Sequence, residues 1–456
     1  MKQQAEYIED QWQFSKDLLF IVGLRNEGFD NQNGDKLSYI KINTQIAPRL
    51  AAVWDMKGDA SSVLKASAGR YHVPLPTNVA VRGAGSSYNA ETAYVYTGVD
   101  QVTGAPTGLT ALGPLYSANN EYGQAKDPAT VAAKGMKGNY QDEFQVGLEQ
   151  IVAKGWKGSA KVTYRALKTA IDDHCDDRPF LAWAARNKID TTNYEGYNCA
   201  LFNPGIDNTF TLDMNGDGKL ETINLTAADL GIPAVKRTYL ALDLGLEHTF
   251  DGTWWAKIAY TWSKNSGNTE GQLLSDIGQA DVSTTQAFDF PEFSVNADGR
   301  LPNDRTHQLK AFGYYQVTES IGIGANTVFA TGRPKNCIGN APVATPSSSP
   351  FVVGGPVTTY SGYGSAYFFC QGQPSPRGSQ GELPATFITD INAVYSPASL
   401  PGVKFKVDVF NIFNRQVAET IEERYNSGTG VRSTYNTVLS YGAPRYVKLG
   451  VSYDMR

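Results

Sequence analysis

Short turns and long polar segments take strict turns along this chain, and between them lie stretches that alternate apolar and polar residues. Residues Thr238 to Phe250 show the alternation best. Leu240, Leu242, Leu244 and Leu246 fall on one face of an extended strand; Tyr239, Ala241, Asp243, Gly245 and Glu247 fall on the other. Val447, Leu449, Val451 and Tyr453 repeat it against Lys448, Gly450 and Ser452. Phe387, Ile391, Ala393 and Tyr395 oppose Asp390 and Asn392. About thirteen such strands are expected, each of roughly 9–12 residues, the length that crosses a bilayer when tilted. They begin near Tyr7, Leu18, Pro48, Val63, Gln141, Ser159, Thr238, Trp254, Thr306, Ile321, Ala385, Val403 and Arg445. Tight turns sit at Ser15-Lys16-Asp17, Lys57-Gly58-Asp59, Lys154 to Lys157, Asp251-Gly252-Thr253 and Thr318-Glu319. Long segments are expected near residues 30–46, 72–139, 169–236, 265–305, 332–384 and 414–444. A compact soluble domain has little room for so many structureless loops. A barrel in an outer membrane has short turns on one side and long loops on the other.

Composition fits such a barrel. The 456 residues carry 40 basic and 45 acidic side chains, a net charge of −5, with 19% charged residues against ~25% in a soluble domain. That balance excludes a basic nucleic-acid binder. Uncharged polar residues, 45 Gly, 25 Tyr and 20 Phe fill the deficit, a set poor in helix formers and rich in strand and turn formers. No apolar run approaches the ~20 residues of a membrane-spanning helix; the longest is Leu18 to Val22. Trp12 and Phe14, then Phe250, Trp254 and Trp255, then Tyr314 and Tyr315 gather by the short turns, where an interfacial girdle would lie. Ordinary β-propensity is the competing account of them.

The start, Met1 to Tyr7, lacks the apolar core of a secretory signal. The cysteines point the other way. Cys175 and Cys199 share one loop-like stretch, and Cys337 and Cys370 another. Neither pair has metal-ligand spacing, so two disulfides in an oxidising compartment are expected, with free thiols as the alternative. Neighbouring pairing is one of three connectivities, favoured because each pair shares a loop. The two signals agree if the natural start lies upstream.

Several stretches in order resemble the barrel of TonB-dependent outer-membrane receptors, particularly the Oar-like group. They are Leu18 to Gly28, Ala47 to Trp54, Ser67 to Val73, Tyr260 to Lys264, Leu301 to Gly313, Arg377-Gly378-Ser379, Val407 to Asn414 and Pro444 to Asp454. The resemblance implies an all-β, transmembrane antiparallel β-barrel, of which residues 1–456 are the C-terminal part. About 13 of 22 strands would be present, with long extracellular loops and short periplasmic turns. Signal peptide, TonB-contacting segment and plug domain are expected to be absent, so the chain is read as a fragment with two open sheet edges. Implied partners are outer-membrane lipid, the TonB complex through that absent region, and a small ligand: siderophore, saccharide or peptide. The family's last strand usually ends on an aromatic residue; here Met455 holds that in-phase position.

The sharpest local motif is Asp213-Met214-Asn215-Gly216-Asp217-Gly218, the first half of a calcium loop. Asp213, Asn215 and Asp217 would offer oxygens at positions 1, 3 and 5, and Glu221 sits at position 9. Position 12 is Asn224 instead of the bidentate Glu. A structural calcium site and a solvated Asp/Asn/Gly turn both remain open. The acidic stretch Asp172 to Asp177 is expected to be a solvated charge run. Tyr88, Tyr94, Tyr96, Tyr116, Tyr360, Tyr363 and Tyr367 lie in loops, where aromatic rings would suit a sugar. His is scarce at four residues, none at HxxxH spacing, and there is no GxSxG, P-loop or GxGxxG helix start. The expectation is a receptor or transporter barrel, not an enzyme; a surface binding or adhesion protein is the second reading.

Overall fold

The computed structural model describes residues 1–79, 85, 88, 90–117, 122–123, 126–196, 199–279, 281–341, 366–427 and 430–454. One antiparallel sheet of 14 strands dominates it. Its main path follows chain order through β1 (Lys2–Ser15), β2 (Leu18–Gln32), β3 (Ser38–Asp55), β4 (Ser62–Val73), β5 (Asn139–Ala153) and β6 (Trp156–Thr169). It continues through β7 (Arg237–His248), β8 (Trp254–Gly267), β9 (His307–Thr318), β10 (Ile321–Ala330), β11 (Thr386–Tyr395), β12 (Val403–Phe410) and β13 (Tyr446–Tyr453). The fourteenth, Gly299–Arg300, adds two residues to the outer end of β8. Among the described residues, β1 and β13 each have a ladder partner on one side only.

The alternation seen in the sequence becomes two chemically distinct faces. In register, Tyr164, Leu240 and Lys264 share one face, as do Val162, Leu242 and Trp262. The opposite face aligns Lys161 with Asp243 and Thr261. Lys65 and Lys157 both reach Glu149, at 2.7 and 2.6 Å, and Lys257 reaches Glu247 at 3.1 Å. A one-residue slip would invert every one of these placements, so the pattern itself sets the register. The apolar face stays uncovered: Leu240, Leu244, Val407, Leu449 and Val451 are all exposed. A soluble sheet would bury that face; a sheet in lipid would not.

The short ends carry the rings. Trp12, Phe14 and Phe20 cluster at 5.2–6.2 Å. His248 stacks on Trp254 at 3.8 Å, with Trp156 at 5.0 Å from the same imidazole. Gly155 makes the adjoining turn with φ 76°, a conformation that favours glycine. The Asp251 carboxylate accepts from the Thr253 and Trp254 amides and closes the next turn.

Three expectations need correction. Residues 30–46 are not a long loop, because β2 and β3 run on to Gln32 and from Ser38, leaving a tight connection at 33–37. That extension buries Phe29, Tyr39 and Ile40 against Leu75, Val131 and Leu201, so packing rather than membrane thickness sets its length. β1 begins at Lys2, ahead of Tyr7, and strand lengths run from 8 to 18 residues. The stretch 172–177 is not solvated: Asp172, His174 and Asp176 are buried. Met455 lies outside the described residues.

Candidate functional site: the outer loop cap and the wall beneath it

The buried apolar core of this protein sits in its long connections. Helix α1 (Arg178–Arg186) begins with Pro179 in its first turn and buries Phe180 and Ala184. These meet Phe202, Phe210, Leu212, Met214, Ile223 and Leu225. Phe210 and Ile223 come from a hairpin, Asn208–Leu212 paired with Glu221–Leu225. Short helix α2 (Ala227–Leu230) closes the cluster with a Thr226/Asp229 capping box and Gly231 at φ 65°. His174 packs among Phe180, Phe202 and Phe210 at 5.3–6.3 Å, and burial pushes its imidazole pKa down to about 3.

Buried polar contacts lock separate connections together. Asp172 accepts from the Thr285 amide at 2.6 Å and hydroxyl at 2.7 Å. Arg178 pairs with Asp176 at 2.7 Å and with Glu292 at 2.8 Å. These join the 170–236 connection to 268–306. A second node joins 268–306, 331–385 and 411–445. Arg377 donates to Asp276 at 2.5 Å, and Asn336 donates to the other Asp276 oxygen at 2.6 Å. Glu423 accepts from the Asn336 amide at 2.9 Å and from Arg333 at 3.0 Å. The Arg377 guanidinium also lies 4.9 Å from the Phe368 ring centre. Burial raises the pKa of Asp172, Asp176, Glu270 and Glu423. Cys175 bonds Cys199 and Cys337 bonds Cys370, each tie within one connection.

The calcium-type loop is an ordered turn. Asp213 accepts from the amides of Gly216, Asp217 and Gly218, and Asn215 from that of Asp217. Glu221 accepts from the Met214 amide at 2.8 Å. The carboxylate oxygens of Asp213, Asp217 and Glu221 do not converge within 4.8 Å of one another; among the described residues the one such group is Asp173 with Cys175 and Cys199, whose sulfurs are already bonded. Of the loop tyrosines, Tyr88, Tyr94, Tyr96 and Tyr116 are exposed. Tyr367 is buried and stacks on Phe293 at 4.7 Å, which makes it core; Tyr360 and Tyr363 lie outside the described residues.

Beneath the cap, one row of the polar face crosses seven strands, β2 to β8, through six pairings: Gly23, Arg49, Gly69, Glu143, Arg165, Tyr239 and Asn265. Arg49 is exposed and lies 5.0 Å from the Tyr71 ring centre, while that ring fills the space left by Gly69. Arg165 pairs with Glu143 and lies 5.5 Å from the Tyr239 ring. One turn of pleat higher, Arg237 donates to the Glu270 carbonyl and, at 3.3 Å, to Gln141. Guanidinium groups held beside aromatic rings suit carboxylate or phosphate groups. Sequence reasoning missed this row. Each Arg and Tyr sits in the correct alternation phase, but only the register shows that they meet.

No protein-family model matches the chain. Over an alignment 515 positions long it is 24% identical to the TonB-dependent transporter Oar of Myxococcus xanthus, covering 98% of this chain and 42% of that protein. The structure of the outer membrane transporter YddB from Escherichia coli superposes with a TM-score of 0.54 at 13% identity, covering 99% of this chain and 45% of that one. The FrpB iron transporter from Neisseria meningitidis gives 0.50 at 12% identity, with 99% and 45% covered. The chain thus spans less than half the length of each of these relatives. The solved structures identify the fold: the antiparallel wall of an outer-membrane barrel.

Proposed function

We propose, from the premise that this chain is homologous to TonB-dependent receptors of the Oar group, that it supplies lumen wall and outer loops to a receptor that takes a scarce ligand across the outer membrane with TonB-delivered energy. The observation that supports this is a loop cap cross-tied by buried charges standing above a lumen row of guanidiniums that lie over aromatic rings. A rigid cap can select a ligand, and a polar wall can pass it on. Arg49 favours ligands with acidic groups, a feature shared by many siderophores and peptides and by charged saccharides. The Asp213–Asp217 loop is proposed as a structural calcium site that stiffens the cap. Surface binding without transport is the second reading, favoured by how much of the chain is built into the cap.

The test is uptake of radiolabelled siderophore, peptide and saccharide probes by the producing cells, with and without functional TonB. Transport predicts saturable uptake that vanishes without TonB and weakens in Arg49→Gln. Binding at the cell surface with no TonB-dependent uptake of any probe would replace transport by adhesion.

A further inference from the structure

We propose that the ribbon of residues 91–116, in the connection between β4 and β5, is a pairing surface for the same ribbon of a second copy of this chain; the proposal rests on the outer-membrane placement but not on transport. Tyr94–Val95 pairs with Thr110–Ala111, and Gly98–Val99 with Pro106–Thr107. A bridge between Glu91 and Tyr116 carries the ladder toward the base. Asp100 closes the tip, its carboxylate accepting from the Val102 and Thr103 amides at 2.9 and 2.8 Å. From Glu91 to Asp100 one limb spans about 30 Å. Other long connections build the cap, but no residue of 91–116 belongs to any of the four buried clusters. Every residue from 91 to 116 is exposed except Thr92 and Gly98. A two-stranded ribbon covered by nothing is marginal in water.

Charge, shape and area together favour a second copy as the cover. Glu91 at the base and Asp100 at the tip are the only charged residues between 91 and 116, so two ribbons meet without repulsion along their length. Tyr94, Tyr96 and Leu109 share one face with Gly98 and Thr107. The large side chains stand toward the base, and Gly98 leaves a hollow toward the tip. Two such faces turned end for end interlock, with Tyr96 of each copy over Gly98 of the other. A two-fold axis along the membrane normal relates two ribbons lying across the outer surface in this way. Tyr94, Tyr96 and Leu109 are 51, 59 and 52% exposed, and Val102 at the tip is 94% exposed. At roughly 200 Å² for a whole tyrosine side chain, these four offer on the order of 350 Å² per copy. Two faces then bury about 700 Å², the size of a transient contact rather than the ~1,200 Å² or more of a stable one. Copies in one membrane present the ribbon on the same side, and their confinement raises the effective concentration as a linker does.

The experiment cross-links the full chain carrying Thr107→Cys on intact producing cells with a membrane-impermeant bismaleimide. All four native cysteines are disulfide-bonded, so the introduced thiol is the reactive one. Thr107 pairs with Gly98, which brings the two thiols together near the two-fold axis. Labelling with a monofunctional maleimide normalises each yield to the thiol exposed on the cell. The expected result is a product of twice the chain's mass. Adding Tyr96→Asp should cut its yield at least about tenfold, the equivalent of about 1.4 kcal/mol. Adding Val99→Asp instead, on the opposite face of the same ribbon, should leave the yield as it was. Two differently tagged copies should cross-link when made in one cell. No doubled product, a product with a different protein in its place, a yield insensitive to Tyr96→Asp as pairing through the sheet edges would give, an equal loss in Val99→Asp, or cross-linking only between separate cells would each overturn the proposal. None of these readouts involves uptake, so a failed transport assay leaves them intact.

Discussion

Replacing Arg377 by methionine tests whether the cap is held by its buried charges. Arg377 and Asp276 are 2% and 4% exposed, and the Asp276 carboxylate has Arg377 at 2.5 Å and Asn336 at 2.6 Å as donors. Methionine keeps most of the volume against Phe368 but strands the carboxylate with one donor. Removing one partner of a buried ion pair costs about 3–5 kcal/mol. The Arg377 Nε and Nη1 atoms have no acceptor among the described residues, so the pair starts imperfectly satisfied and the lower figure applies. About 3 kcal/mol at 1.36 kcal/mol per tenfold raises the opening equilibrium of the cap roughly 150-fold. Hydrogen exchange reads this directly. The Asn336 amide bonds Glu423, the Ile338 amide bonds the Glu423 carbonyl, and the Gly378 amide bonds the Asn336 side chain, so all three report contacts across or within the node. Their protection should fall by about two orders of magnitude, while β7–β8 ladder amides keep theirs. Asp276→Leu added to Arg377→Met should restore much of the loss, because no charge is then left buried. A change under threefold at those amides, equal loss in the ladder, or a double variant worse than the single would refute the reasoning.

Acid should loosen the cap through His174. Its folded pKa of about 3 lies below the ordinary ~6.5, so its contribution is full above pH 6.5 and is lost as pH falls, about 2.7 kcal/mol by pH 4.5. Asp172, Asp176, Glu270 and Glu423, raised by burial, act oppositely and favour the folded cap as pH falls through their pKa values. His174→Phe should therefore abolish the acid-induced rise in protease cleavage of residues 170–236; identical pH profiles would contradict it. Cys175→Ser/Cys199→Ser opens a ring with sequence separation 24 and should cost the cap about 3.5 kcal/mol in the chain-entropy picture, seen as a lower denaturant midpoint for the cap alone. Calcium should slow proteolysis near Asp213, and Asp217→Ala should remove that protection; digestion that is the same in calcium and in chelator would reject the site.

The barrel wall was legible because each strand announces itself locally. Leu240 to Leu246 and Val447 to Tyr453 show their faces without any partner in view, and strand starts at Leu18, Trp254, Ile321 and Val403 coincide with those observed. The turns were legible for the same reason: Asp251-Gly252 and Lys154-Gly155 carry their own geometry. Residues 30–46 were misread because Phe29, Tyr39 and Ile40 are ordered by distant partners such as Leu75 and Val131. Asp172 to Asp177 were misread because a charge run is normally solvated, and only the fold shows Thr285 and Arg178 waiting for those carboxylates.

By itself, then, the sequence determines the strand set, the two faces and the side of the sheet on which the long connections lie, since side-chain alternation and turn chemistry act over a few residues. Only the tertiary structure decides which residues meet across rows. Arg49 reaches Tyr71 and Arg165 reaches Tyr239 through register, and Asp276, Asn336, Arg377 and Glu423 converge from three connections far apart in the chain. Such meetings depend on loop closure and on the desolvation of paired charges, and both are properties of the folded whole.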